Sequence, residues 1–208
     1  LKTRLPPQLV ILTYAHFHDE RNTFGRAYRR ATVMNMAPQM RGTPFPYAKL
    51  AKANSATVGR RPAAYFGLPI LRNSALPTFV DAAFDGLDDR YTRSHDVSQA
   101  LVLEFSRICN QHGIELVVAG LTQEPATWNM MAFCLRHGIR RVDISFDYEN
   151  PDYMNLPHDE THPSPAGHLI YAGRLAAFLE NEGRVKPAPA TAATNVSLLG
   201  IREIGLSK

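Results

Sequence analysis

The chain has 208 residues, 45% hydrophobic and 20% charged, enough for one domain with its own core and ordinary for a globular protein. Its net charge of +4 is modest, and arginines gather only as Arg26, Arg29 and Arg30, as Arg60 and Arg61, and as Arg140 and Arg141. The absence of a long basic block interleaved with aromatics argues against nucleic-acid binding; no apolar run has the length of a membrane span, and no signal-peptide pattern opens the chain at Leu1.

In chain order, Leu9–Tyr14 (Leu-Val-Ile-Leu-Thr-Tyr) reads as a buried parallel strand. A polar loop follows, holding His16, His18, Asp19, Glu20, Arg21 and Asn22. From residue 22 to 92 the chain carries Pro38, Pro44, Pro46, Pro62, Pro69 and Pro77 without a sustained period. It reads as a long insertion of short helices or turns that shapes a binding pocket. Val97, Leu101, Phe105 and Ile108 then recur at helical spacing before Gly113, and Ile114–Ala119 is a second strand. Trp128, Met131, Ala132 and Leu135 predict another helix that ends near Gly138. Arg141–Phe146 is the third strand, its alternation placing it nearer an edge. A last helix starts at Ser164-Pro165, a cap followed by a first-turn proline, and carries the apolar run from Leu169 to Leu179. The second half therefore alternates helix and strand, which predicts an α/β fold with a parallel sheet covered by helices on both faces. Residues 1–183 form one domain, and 184–208 read as a linker rich in Pro, Ala and Thr with a short tail.

The pattern C-x-x-H-G-I occurs twice, at Cys109–Ile114 and Cys134–Ile139. Two such pairs have the residue types of a zinc site. Each falls in the last turn of a predicted helix, however, where glycine is the favoured cap and histidine suits the negative end of the dipole. The cysteines then face the core as small apolar groups.

The most informative stretch is Asp159-Glu160-Thr161-His162-Pro163-Ser164-Pro165-Ala166-Gly167-His168. It places a carboxylate and an imidazole just ahead of the last helix, in the loop after the third strand. A carboxylate that holds a neutral imidazole in one tautomer is two thirds of a hydrolytic triad. Ligands of open α/β sheets bind beyond the carboxyl ends of the strands, and the histidine-bearing loop after the first strand lies on that same edge.

The Asp159–His168 run resembles the closing block of the SGNH (GDSL-type) hydrolases, in which an aspartate and a histidine three residues later complete a Ser-His-Asp triad. Leu9–Asn22 resembles the third strand of that fold and its following loop. Most members carry G-x-N-D there; this chain instead resembles a variant group with H-x-x-R-N, here His18-Asp19-Glu20-Arg21-Asn22. The resemblance implies a three-layer α/β/α, flavodoxin-like fold with strands three to five of the family's sheet present. It implies an ester hydrolase or O-acyltransferase acting on a small-molecule or glycan acyl ester, with no metal or organic cofactor. Asp159 and His162 would be the catalytic carboxylate and base. His18, Asn22 and His16 are candidates for the oxyanion or substrate pocket, with Arg21 holding a substrate anion or the loop itself.

The nucleophile is missing from this pattern. No G-D-S occurs in the chain; Ser55 and Ser74 lie in the insertion without the strand-turn-helix setting of an activated hydroxyl, and Ser164 is better read as a helix cap. The resemblance also makes Leu9–Tyr14 a sheet edge, although it lacks the charges, proline or bulge that protect natural edges. An upstream segment bearing two strands and the serine is therefore expected beside it, the alternatives being a second chain or the tail near Val196. The alternative is a non-catalytic binding or assembly domain derived from the same fold.

Overall fold

The computed structural model describes residues 7–35, 42–51, 55–64, 75–154 and 162–185. Its framework is a parallel three-stranded sheet of β1 (Leu9–Tyr14), β4 (Glu115–Thr122) and β5 (Arg140–Phe146), in the order β1-β4-β5. Leu9 pairs with Glu115 and Tyr14 with Gly120 along β1, while Val117 pairs with Arg140 and Gly120 with Asp143 along β5. All three predicted strands are present, and both β1 and β5 are edges among the described residues.

Helices α4 (Ser94–Gln111), α5 (Pro125–Arg136) and α6 (Pro165–Asn181) flank this sheet. Side chains alternate between the faces of a strand. Leu116 and Val118 share a buried cluster with Val102 and Cys109 of α4 and with Met130, Phe133 and Cys134 of α5. Val117 and Ala119, also buried, turn to the opposite face, and α6 lies against β5. The architecture is α/β with helices on both faces, as the alternation of elements predicts. Among the described residues no helix is long and apolar enough to cross a membrane.

The repeated C-x-x-H-G-I pattern is a pair of matching helix ends. Gly113 and Gly138 both have φ of +67°, and the Ile114 and Ile139 amides reach back to the Cys109 and Cys134 carbonyls at 2.9 Å in each case. This six-to-one bond is the Schellman closure, which satisfies carbonyls that the helix leaves open. Both cysteines are free and buried, and burial pushes the Cys134 thiol up to about 11. The spacing of α5 predicts a helix correctly but assigns it the wrong face. Trp128, Ala132 and Leu135 are exposed, whereas Thr127, Met130, Met131, Phe133 and Cys134 are buried. Gly120 explains the rotation: a Cβ there would meet the Thr127 methyl at 3.0 Å, so that face of α5 sits directly on β4.

The insertion is more regular than its prolines suggest. It contains the last two residues of α1 (Phe17–Thr23), a helix where a polar loop is expected, then α2 (Arg26–Asn35), an antiparallel hairpin of β2 (Pro44–Leu50) and β3 (Ala56–Pro62), and α3 (Ala75–Thr92). Pro44 and Pro46 are tolerated because β2 has only one partner strand, so a missing amide can face away from the ladder. Arg61 of β3 clamps the end of α1. Its guanidinium donates to the Thr23 and Phe24 carbonyls and lies over the Phe24 and Tyr47 rings, 5.5 and 4.7 Å from their centroids. Phe24 itself has φ of 50°, a left-handed conformation costing about 1 kcal/mol outside glycine, and is held there by stacking on Phe45.

Candidate functional site

The carboxyl ends of β1, β4 and β5 carry the polar loops, and the helices that precede or follow those ends complete the rim. Ser164 caps α6 as predicted: its hydroxyl accepts from the Gly167 amide at 3.2 Å and donates to the Asp152 carbonyl at 2.9 Å. The Ser164 amide donates to the Tyr153 carbonyl at 2.8 Å, and Pro163 bridges to Met154. The His162–Gly167 end of the block is thus pinned to the turn that follows β5, above an aromatic cluster of Phe146, Tyr148, Tyr153 and Tyr171. His162 is exposed there. Asp159, its predicted partner, lies outside the described residues, as does Ser74. Ser55 sits at the β2–β3 turn, where its carbonyl accepts from the Ala51 amide at 2.8 Å.

The four candidates after β1 have separate fates. His18 accepts from the Ala15 amide through Nδ1 at 3.2 Å, which leaves the ring proton on Nε2 and makes that nitrogen a donor. Partial burial, followed by the nearby Arg21 charge, lowers the His18 pKa below its ordinary value, so the ring keeps this neutral donor form into mildly acidic solution. Asn22 donates to the Ser98 hydroxyl of α4 at 2.9 Å, so one of its amide hydrogens secures α1 to α4. Arg21 is exposed with its guanidinium over the Tyr28 ring of α2. His16 pairs with Glu124 at 2.8 Å and so ties the loop after β1 to the start of α5. His18 therefore keeps an N–H on Nε2 as a donor, whereas His16 is tied to Glu124 and Asn22 to Ser98.

Three residues that the sequence patterns do not single out form the best-connected cluster on this rim. Asp19 is 6% exposed and accepts from the Tyr14 hydroxyl at 2.7 Å, while its other oxygen meets His95 Nδ1 at 2.9 Å. The far nitrogen of His95 meets the Gln99 side-chain amide at 2.9 Å. A buried carboxylate is costly unless hydrogen-bonded, and these two partners supply what Asp19 needs. The hydrogen bond that His95 donates to Asp19 raises the His95 pKa above its ordinary value, and burial followed by the Asp19 charge raises that of Tyr14. The signal for His95 was topological. A helix leading into a parallel strand runs against it, so the first turn of α4 must lie at the carboxyl edge beside the loop after β1.

Among the described residues no group of three or more His, Cys, Asp or Glu side chains is gathered as a metal site would require. No protein-family model, characterised protein or solved structure matches the chain.

Proposed function

We propose that this chain supplies the base-and-carboxylate part of an SGNH-type ester hydrolase or O-acyltransferase. The observation that carries this reading is the Asp-x-x-His-Pro-Ser block, whose histidine end is fixed by a capped helix to the carboxyl edge of a parallel sheet. In this reading His162, oriented by Asp159, removes the proton from a serine hydroxyl as it attacks the acyl carbonyl, then returns it to the leaving alcohol. His18 Nε2–H donates to the oxyanion, a contribution of about 3 kcal/mol per well-placed donor. β1, which leads into α1 with His18, and β5, whose following turn pins the His162 end of the block, lie two strand spacings apart, roughly 10 Å, on either side of β4. Water as the final acceptor gives hydrolysis; a sugar or other alcohol gives transfer.

The serine is assigned to a segment that docks on the open edge of β1. Expressed with its upstream coding sequence, the protein should hydrolyse a short aryl acyl ester and be labelled at a serine by a fluorophosphonate. His162→Ala should lower kcat by roughly a thousandfold or more. Full turnover by that variant would sink the assignment. A second reading, a binding or assembly domain, is favoured by the apolar side chains that α3 and α5 present outward, among them Leu87, Tyr91 and Trp128. It predicts no serine labelling under the same conditions.

A further inference from the structure

We propose that Tyr14, Asp19 and His95 form a pH-sensitive latch that fixes α1, with the His18 and Asn22 side chains it carries, against α4. The latch joins three elements at one carboxylate: the last residue of β1, the first turn of α1 and the first turn of α4. Its contacts span 76 positions of sequence between Asp19 and His95, so they hold tertiary rather than local structure. A second side-chain hydrogen bond between α1 and α4, from Asn22 to Ser98, lies one turn further along both helices.

His95 is the part that titrates. Its surroundings are acidic on every side: Asp19 from α1, Asp89 from α3, Asp96 from its own helix and the Tyr14 phenol from β1. Arg93 is the nearby cation, and it is engaged by Asp96 at 2.6 Å. In the neutral ring Nδ1–H donates to Asp19 and Nε2 accepts from the Gln99 amide nitrogen. In the protonated ring both nitrogens donate, and a half-turn of the Gln99 amide offers its oxygen instead. Protonation therefore loses no hydrogen bond and adds an ion pair with a nearly buried carboxylate. Because the pKa of His95 is raised in the folded chain, the stabilisation is complete below the ordinary histidine value of 6.5 and is lost as pH rises through the folded midpoint. The chain then holds α1 most firmly in mildly acidic solution and loosens it as the medium becomes alkaline.

The latch stands on the geometry of α1, α4 and β1 and does not rest on the function proposed above. The test is an imidazole NMR titration of the full chain from about pH 5 to about pH 9, with amide protection factors of α1 followed in parallel. His95 should titrate above the ordinary value. Protection in α1 should fall through that midpoint, by up to about tenfold for each unit of elevation. His95→Gln should abolish the step, and Asp19→Asn should return the His95 midpoint to or below the ordinary value. A midpoint at or below the ordinary value in the native chain would overturn the latch. So would an elevated midpoint with no change in α1 protection, a result that requires no folded variant. Neither readout uses ester turnover, so failure of the acyl reading and failure of the latch are separately visible.

Discussion

A side chain at position 167 would meet three atoms at once. A Cβ added there stands 2.5 Å from the Tyr153 carbonyl oxygen, 2.8 Å from the Phe146 ring and 3.1 Å from Pro163. The carbonyl belongs to the same turn that receives the Ser164 amide, so it cannot retreat without loosening the helix cap. Gly167→Ala should destabilise the fold by about 2 kcal/mol, the scale of overpacking in a rigid site, and displace His162 with it. Urea unfolding measures the first effect; an unchanged midpoint would mean that α6 does not sit this close to β5. The sequence pattern marked the Ser164 cap and the His162 loop because both rest on local chemistry. The need for glycine at 167 was not legible, since its contacts come from the β5 turn as well as the neighbouring proline. Nor was the Asp19–His95 pair, whose members flank the insertion on either side.

At the scale of elements, α3 is mounted with its polar side inward. Asp85 meets Arg26 at 3.2 Å and Arg30 at 2.8 Å, Asp88 accepts from the Arg26 amide at 2.6 Å, and Asp89 accepts from Ser94. The apolar side chains of Phe84, Leu87 and Tyr91, spaced three and four apart, are 52%, 57% and 89% exposed. Hydrophobic periodicity finds such a helix only by assuming that its apolar stripe is the buried one, and here that assumption fails. The same assumption misplaced the face of α5, whereas the ends of α4 and α5 were readable because glycine caps are local devices. Leu87→Ser and Tyr91→Ser should therefore change stability by no more than about 0.5 kcal/mol. Asp85→Ala should cost about 1–3 kcal/mol, because it removes a carboxylate that pairs with two part-buried guanidinium groups. Chemical denaturation of the three variants tests the inverted mounting, and a larger loss for the leucine and tyrosine changes than for Asp85 would refute it.

For the molecule as a whole, the central question is where the sheet ends. The three strands, their parallel sense and the helices between them were legible because alternating elements leave few ways to pair. What lies beyond β1 was not, because an edge is defined by what pairs with it. Peptide groups of a parallel strand point alternately to the two sides. The Glu115 amide donates to the Gln8 carbonyl, and Leu9 is in register with Glu115. Gln8, Val10, Leu12 and Tyr14 therefore turn their amides toward β4, while those of Leu9, Ile11 and Thr13 turn toward the edge that no described strand covers. Hydrogen exchange of the 208-residue chain should show this alternation directly, with Val10 and Leu12 protected and Ile11 and Thr13 exchanging faster. Adding the segment proposed to bring the serine should slow the Ile11 and Thr13 amides to the level of their neighbours. Uniform protection along β1 without that segment would mean that the edge is already occupied, and the nucleophile would then have to be sought elsewhere on the rim.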